Sequence, residues 1–266
     1  VLYWSSYAPT GLYYVKWDGN EMVTTAVEES NHRHRGTGVG MAVHDGKIHI
    51  VWNGGSTANV KYASSTNGID WNKEDITIGP DANYFGGADV AIGMNGDVHV
   101  TFSWYSIFEY SYDGRYAYQG EDGVYYVKKK AGETFTAKCV PSGNGCLVQE
   151  SHVAQKMAWL VGEPNRFIPE KTGCAHVRGY NRILCNYNHV VRAPKIVASI
   201  NSPAVHIATA GCNILSEECV TASSMWVFSS LNSGDSWSKS TLDKSVGGVS
   251  YDIAMDPSGD IFSTTP

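Results

Sequence analysis

One pattern recurs along this chain and restricts the folds open to it: a short apolar strand, a tight turn and a second apolar strand. The clearest copy runs through residues 88–92, a turn at 95–97 and residues 98–100. Repetition at intervals of roughly 20 to 50 residues is typical of repeat architectures. Related copies start near residues 40, 152, 195 and 252, the one at 152 with only its first half intact.

The spacing of the copies predicts how many units the chain holds. The intervals around a closed ring range from 43 to 63 residues, enough for one four-stranded sheet each. Radial repetition of such sheets is the β-propeller architecture, which leaves few exposed strand edges. We therefore predict a single all-β domain over residues 1–266, a β-propeller of four-stranded antiparallel blades with five blades, or six if the chain is incomplete. One landmark marks the first strand of each unit: Gly40, Asp89, His152, Lys195 and Asp252.

The last blade is expected to close the ring with strands from both ends of the chain. One strand is surplus, because residues 1–4 and Ile261–Thr264 both fit its second position. An outer strand, a larger propeller or strand exchange between molecules would each use the surplus. The strands predicted for this blade are 249–255, 260–264, 12–16 and 22–27.

The composition agrees with strands and turns. The 266 residues include 16 Tyr, 8 Trp and 28 Gly, and aromatic residues favour strands while glycine favours turns. A net charge of -6 without a basic stripe argues against nucleic acid as the main partner. No apolar run approaches the roughly 18 residues of a membrane span. The chain opens on Val1 without a basic n-region, so we expect any signal peptide to have been removed.

Six cysteines form three close pairs, each bracketing a loop. None has Cys-x-x-Cys spacing, so neither a zinc site nor a redox motif is predicted. Three local disulfides would place the protein in an oxidising, extracellular compartment, and six reduced buried thiols are the alternative. The predicted pairs are Cys139 with Cys146, Cys174 with Cys185, and Cys212 with Cys219.

A glycine followed three residues later by a large apolar residue closes the third strand in four units. The pairs are Gly19/Met22, Gly68/Trp71, Gly132/Phe135 and Gly234/Trp237. Two of them extend to Ser64-x-Thr66-x-Gly68-x-Asp70-Trp71 and Ser230-x-Asn232-x-Gly234-x-Ser236-Trp237. These strings resemble the Asp-box, or BNR repeat, of sialidase-like β-propellers. The resemblance implies a structural turn between the third and fourth strands of a blade, with a tryptophan packed between blades.

Sialidase chemistry would need more than this turn. The resemblance implies an arginine triad, a Tyr/Glu nucleophile pair, an acidic Asp and a Phe/Tyr-Arg-Ile-Pro motif. The nearest string here is Arg166-Phe167-Ile168-Pro169, which is scrambled and lies mid-chain. The resemblance therefore predicts the fold and not the activity.

The first-strand landmarks predict a ring of side chains around the propeller axis. Asp89, His152, Lys195 and Asp252 would lie at one depth, with Gly40 leaving a gap. Such a ring can perform acid–base chemistry or hold a polar ligand. A solvated channel whose charges neutralise one another is the alternative. A retaining glycosidase would need two of these carboxylates about 5 Å apart.

Two further sets of residues bear on function. The second-strand histidines His49, His99 and His206 are predicted to be structural, bonded between blades, because equivalent positions on different blades lie far apart.

A tyrosine-rich insertion is a candidate glycan-binding loop, since Tyr combines an apolar stacking body with a hydrogen-bonding tip. Its ligand-binding candidates are Tyr105, Tyr110, Tyr112, Tyr116 and Tyr118.

The sequence favours a secreted, non-catalytic module that binds a glycan or another extracellular polymer, or that assembles. The first alternative is a sialidase-like glycoside hydrolase that uses the ring carboxylates. The second is a structural subunit that polymerises by strand exchange into homo-oligomers. Neither a metal nor a cofactor is predicted.

Overall fold

The computed structural model is built from β-strands. Apart from one short 3-10 turn at Met94–Gly96, the regular structure in its described segments is strand, and none of their helices is long and apolar enough to cross a bilayer. The prediction of an all-β chain is confirmed. The structure describes residues 1–5, 10–29, 38–53, 60–76, 84–105, 123–135, 138–142, 145–149, 155–159, 174–176, 183–185, 194–211, 224–243, 252–256 and 258–264.

The strands form antiparallel sheets that follow the order of the chain. The first sheet contains β1 to β3: Leu2–Ser5, Gly11–Trp17 and Met22–Glu29. The second contains β4 to β7: Val39–His44, Lys47–Asn53, Val60–Ser65 and Asn72–Ile76. The third contains β8, β9, β10 and β13: Tyr84–Ile92, Val98–Tyr105, Gly123–Lys129 and Gln155–Trp159. The fourth contains β16 to β19: Lys195–Ala198, Val205–Gly211, Ser224–Ser230 and Ser238–Asp243.

Three hairpins accompany these sheets. They are β11–β12 (Lys138–Ser142 and Gly145–Gln149), β14–β15 (Cys174–His176 and Ile183–Cys185) and the C-terminal hairpin β20–β21 (Asp252–Met255 and Ile261–Thr264).

Apolar clusters join each sheet to the next. Successive side chains of a strand point to opposite faces, so β10 supplies two interfaces: Tyr125 and Val127 pack towards the second sheet, and Val124 and Tyr126 towards the fourth. The first sheet packs on the second in the same way, through Leu12 and other residues. Ile253 joins the C-terminal hairpin to the fourth sheet. Face-to-face packing of successive small sheets is a propeller-like arrangement.

The inner strands of neighbouring sheets are in contact: β4 with β8, β8 with β16, and β16 with β20. Because β8 touches β16 directly, no described strand separates the third sheet from the fourth. The predicted inner strand at His152 lies outside the described residues. The predicted count of five blades is therefore not confirmed.

The outer strand of the third sheet comes from an unexpected part of the chain. In a blade of four consecutive strands this position would fall to residues 134–140, directly after β10, but β13 occupies it, with Ala158 opposite Val124. The segment 138–142 instead pairs with β12 in a separate hairpin. The unit predicted to start at His152 thus contributes a strand to the sheet that precedes it.

The two strands at the ends of the chain, β1 and β21, lie in different sheets. β1 lies beside β2, with Trp4 opposite Leu12. β21 pairs with β20 in a sheet of its own, with Phe262 opposite Ala254. Among the described residues the strands named for the closing blade lie in the sheets β1–β3 and β20–β21, and closure of the ring by both ends of the chain stays a prediction.

The turns at Gly68 and Gly234 each carry a side-chain network between a third and a fourth strand. Ser230 Oγ accepts the Gly234 amide at 2.8 Å and donates to Asn232 Oδ1 at 2.9 Å. Asn232 Oδ1 also accepts the Ser236 amide at 2.9 Å. The sequence placed Asn232 at the position that the Asp-box fills with Asp, and its amide oxygen provides the acceptor there.

In the Gly68 turn the serine is not the predicted one. Ser65 Oγ, and not Ser64, accepts the Gly68 amide at 2.8 Å. Asn67 Oδ1, and not Thr66, accepts the Asp70 amide at 2.9 Å, while Asn67 Nδ2 donates to Asp70 Oδ2 at 2.9 Å. This turn is one residue shorter between serine and glycine than the Gly234 turn, so its hydrogen-bonding residues are shifted by one.

A repeated aromatic contact ties each turn to the preceding sheet. A tyrosine in the middle of β2, β6 or β10 lies edge-on to the aromatic residue that follows the turn of the next sheet. The three pairs are Tyr14–Trp71, Tyr62–Phe135 and Tyr126–Trp237, with centroids 5.5, 5.2 and 4.9 Å apart. Edge-to-face contacts of this kind contribute roughly 0.5–1.5 kcal/mol beyond area burial.

The second-strand histidines are structural, but they bond within their own sheets. His49 Nδ1 lies 2.6 Å from Tyr62 Oη, and His99 Nδ1 lies 2.7 Å from Tyr126 Oη. His206 bonds Ser229 Oγ at 2.9 Å, because Val227 replaces the tyrosine in the fourth sheet. His49 and His99 thus position the two tyrosines, Tyr62 and Tyr126, that make contacts between sheets.

Candidate functional site

The first sheet has one face on the second sheet, and its other face carries exposed residues such as Trp17 beside the buried Tyr13. Leu12 and Tyr14 of β2 belong to the apolar cluster beneath the sheet. Alternation along the strand therefore directs Tyr13, Val15 and Trp17 to the opposite face. We call this face, which contains Tyr3, Tyr13, Trp17, Met22 and Thr24, the aromatic face.

Aromatic rings lie along the aromatic face in a row. Tyr3 lies opposite Tyr13, and their rings stack with centroids 5.4 Å apart and planes inclined by 19°. Trp17, four residues further along β2, lies about 14 Å from Tyr13 at a strand rise of about 3.4 Å per residue. Trp17 is 60% exposed and Tyr3 is 44% exposed. The row therefore presents flat apolar surfaces to solvent at two points.

Polar groups border the row. Thr24 is exposed opposite Val15, which places a hydroxyl beside the rings. Burial raises the pKa of Tyr13, and the neighbouring Glu29 and Tyr3 raise it further, so its phenol remains a neutral hydrogen-bonding group. In the turn after Trp17, Asp18 Oδ1 accepts the amides of Asn20 and Glu21, each at 2.9 Å. These amides lower the pKa of Asp18.

The inner strands hold the second candidate site, centred on Asp89 of β8. Its Oδ2 accepts the amide of Ile196 on β16 at 3.1 Å. A Cβ placed on Gly40 would lie 2.5 Å from the Asp89 Cα and 2.6 Å from its Oδ1. The predicted gap at Gly40 is thus filled by Asp89, and the carboxylate links the inner strands of the third and fourth sheets.

The pKa of Asp89 differs from that of an exposed aspartate. Burial raises its pKa to about 6, although Lys195 and the amides of Ile196 and Val90 favour the charged form. The negative charge of Asp252 also raises the pKa of Asp89. Asp252 itself is exposed, and its Oδ1 accepts the Ile253 amide at 3.0 Å. Three of the predicted ring residues therefore lie within electrostatic range of one another.

Other predicted site residues lie beyond what the structure describes. The backbone of Tyr105 ends β9 opposite Tyr84. Residues Tyr110, Tyr112, Tyr116, Tyr118, His152, Cys212 and Cys219 lie outside the described residues. No group of three or more His, Cys, Asp or Glu side chains with the geometry to hold a metal ion occurs in the described ranges.

The aromatic face was missed at the sequence level. The signal was present, because Tyr13, Val15 and Trp17 alternate with Leu12, Tyr14 and Lys16 in a single strand. Alternation shows that a strand has two faces, but it does not show which face a neighbouring sheet covers.

No protein-family model matches the chain, and no curated protein matches it. A Trypanosoma rangeli sialidase in complex with sialic acid is 12% identical over 91% of this chain and 35% of its own, with a TM-score of 0.44. The polysaccharide lyase Uly1 is 13% identical over 90% of this chain and 48% of its own, with a TM-score of 0.39. A protein of unknown function from Dyadobacter fermentans DSM 18053 is 14% identical over 86% of this chain and 61% of its own, with a TM-score of 0.41. The chain spans between about a third and three fifths of these proteins, and such scores define neither a family nor an activity.

Proposed function

We propose that this protein is a secreted, non-catalytic β-propeller module that binds a glycan on the aromatic face of its first sheet. The observation that carries the proposal is the solvent exposure of Trp17 and Tyr3 on one face of a well-packed sheet. In the second, third and fourth sheets, the residue equivalent to Met22 packs against a tyrosine of the preceding sheet. Met22 itself is 66% exposed, so the aromatic face is open to a ligand.

Sugar rings suit such a surface. Their C–H faces stack on indole and phenol rings, while the hydroxyls need polar partners at the edge. Thr24 and the Tyr3 phenol supply such partners on the same face. A rigid sheet holds these groups in place, so that little ordering entropy is lost on binding.

The test is equilibrium binding of soluble oligosaccharides to the wild-type chain and to two variants. Trp17→Ala should weaken binding by about tenfold or more, as expected for the loss of one stacked aromatic residue. Phe262→Ala is the matched control, because Phe262 is a 58% exposed aromatic residue on a different sheet. Binding that Phe262→Ala weakens and Trp17→Ala leaves unchanged would refute the proposal.

The extracellular location and the disulfides belong to the same proposal. Cys174 lies directly opposite Cys185 in the β14–β15 hairpin. Opposed residues of antiparallel strands have Cα atoms about 4.5 to 5.5 Å apart, within the range that a disulfide spans. Cys139 and Cys146 share the β11–β12 hairpin, with Cys146 opposite Pro141. Mass spectrometry of non-reduced peptides tests these pairs, and Cys212 with Cys219.

The Asp-box identity of the two turns is also proposed. The turns lie between third and fourth strands, and Trp237 packs between the third and fourth sheets. Those positions are the ones that the Asp-box resemblance implies.

A glycoside hydrolase is the second candidate, favoured by the raised pKa of Asp89 beside a second carboxylate, Asp252. A carboxyl that titrates near neutral pH is suited to general acid catalysis. Release of reducing sugar that is lost in both Asp89→Asn and Asp252→Asn would establish this activity. Release unaffected by either substitution would exclude these residues.

A further inference from the structure

In the described strands and turns of the first sheet, the charged side chains that border the aromatic face are acidic. Asp18 and Glu21 lie in the turn directly after Trp17. Glu29 lies opposite Gly11 at the other end of the sheet, and its charge contributes to the raised pKa of Tyr13. All three carboxylates are exposed. A ligand lying along the row would therefore meet negative charge at both ends.

The described strands of the first sheet carry one basic side chain, Lys16. Lys16 points to the opposite side of β2, where its Nζ donates to the Asn67 carbonyl at 3.1 Å, while its charge contributes to the lowered pKa of Asp18. The carboxylates at the ends of the row therefore have no basic side chain of β2 on their own face.

We propose that the ligand of the aromatic face is a linear glycan that is neutral or carries ammonium groups, and that acidic glycans are excluded. This inference rests on the proposed function. A uronate or sulfate stacked on Trp17 would lie close to Asp18 and Glu21, and like charges a few ångströms apart repel at low ionic strength. An ammonium group in the same position is attracted. The row runs about 14 Å from Trp17 to the level of the exposed Tyr3, which lies opposite Tyr13, and this length suits several consecutive sugar rings.

Three hexasaccharides of similar length test the inference at pH 6: the N-acetylglucosamine hexamer, its fully deacetylated form and a hyaluronan hexasaccharide. We expect the deacetylated hexamer to bind at least about tenfold more tightly than hyaluronan at about 20 mM salt, and this ratio to shrink severalfold at about 0.5 M salt, where screening is strong. In the triple variant Asp18→Asn, Glu21→Gln and Glu29→Gln, the ratio should fall to within about twofold. Asn at position 18 keeps the side-chain oxygen that accepts the two turn amides.

The outcomes separate this inference from the proposed function. Hyaluronan binding that equals or exceeds binding of the neutral hexamer, and that needs Trp17, overturns the charge preference alone. A ratio that persists in the triple variant also overturns it, since the carboxylates are then not its source. No binding of any hexamer, or binding unaffected by Trp17→Ala, overturns the proposed function itself. Dimers that Trp17→Ala dissociates, together with no saccharide binding, would assign the face to a second copy and overturn both.

Discussion

Tyr126 of the third sheet lies edge-on against Trp237 of the fourth, with ring centroids 4.9 Å apart and planes inclined by 73°. The Tyr126 hydroxyl bonds His99 Nδ1 at 2.7 Å and donates to the Ser233 carbonyl at 3.3 Å. One side chain thus connects a second strand, a third strand and the turn of the next sheet. The packing of the sheets that support the aromatic face depends on contacts of this kind.

Gly234 cannot accept a side chain beside this tyrosine. A Cβ there would lie 2.1 Å from Tyr126 Oη, and Gly234 has a φ of 87°. We expect Gly234→Ala to lower the free energy of unfolding by about 3 kcal/mol or more, from backbone strain and overpacking together. Gly132→Ala is the control, because its φ is 80° and a Cβ there meets nothing within 4 Å. It should cost about 1 kcal/mol, and equal losses in urea denaturation would contradict the account.

Lys129 and Glu74 form a buried ion pair between the second and third sheets. Lys129 Nζ donates to Glu74 Oε1 at 2.6 Å and lies 4.3 Å from the centre of the Tyr62 ring. We expect Lys129→Ala to destabilise the protein by about 3–5 kcal/mol, because Glu74 is left buried without its partner. The neighbouring Lys128 pairs with the exposed Asp235, and its alanine variant should cost only about 1 kcal/mol.

A double variant separates the two explanations for the Lys129 effect. Lys129→Met combined with Glu74→Gln removes both charges, keeps an oxygen to accept the Phe135 amide that Glu74 Oε2 accepts at 2.6 Å, and should recover much of the lost stability. Failure of the double variant to exceed Lys129→Ala in denaturant midpoint would show that packing on Tyr62, and not the unpaired charge, dominates.

Burial of two histidines predicts how stability depends on pH. Desolvation lowers the pKa of both His49 and His99 to about 4, whereas a histidine in the unfolded chain titrates near about 6.5. Between these values the unfolded state binds more protons, so stability falls as the pH drops from 7 towards 4. We expect His99→Gln to flatten this slope in denaturation midpoints measured across that range. An unchanged slope would mean that His99 is accessible to protons in the folded state.

Asp89 should show the opposite sign. Its folded pKa of about 6 lies above the value near 3.9 of an unfolded aspartate. The folded state therefore binds more protons between these values, and ionisation of Asp89 destabilises the fold as the pH rises through 6. Asp89→Asn keeps an acceptor for the Ile196 amide without the charge. Its stability relative to wild type should be greater at pH 7.5 than at pH 4.5, and a difference independent of pH would contradict the assignment.

The sequence predicts local features of this fold better than distant pairings. The glycine–aromatic spacing in residues 68–71 and 234–237 predicts two turns that the structure shows between third and fourth strands. The spacing does not reveal that Ser65, and not Ser64, accepts the Gly68 amide. A turn that is one residue shorter keeps the same spacing between its glycine and its tryptophan. The pairing of β13 with β10 spans a long insertion, and nothing local to residues 155–159 encodes it.

The two candidate sites, Asp89 and the aromatic face, also differ in whether the sequence predicts them. Asp89 was found from the repeat, since equivalent inner-strand positions converge by geometry. The aromatic face was not, because Trp17 and Tyr13 have the same alternation as buried strands elsewhere in the chain. Which face remains exposed depends on the arrangement of neighbouring sheets, and that is a property of the whole fold.

The most direct test of the glycan-binding face is the indole N–H region of a ¹H–¹⁵N spectrum during titration with the N-acetylglucosamine hexamer. The Trp17 signal is identified by its loss in Trp17→Phe. Trp52 is an internal reference, since it is fully buried and its Nε1 donates to Glu28 at 2.6 Å. We predict that the Trp17 indole signal shifts progressively and saturates while that of Trp52 stays in place. A Trp17 signal that does not move at saturating hexamer would contradict the central claim.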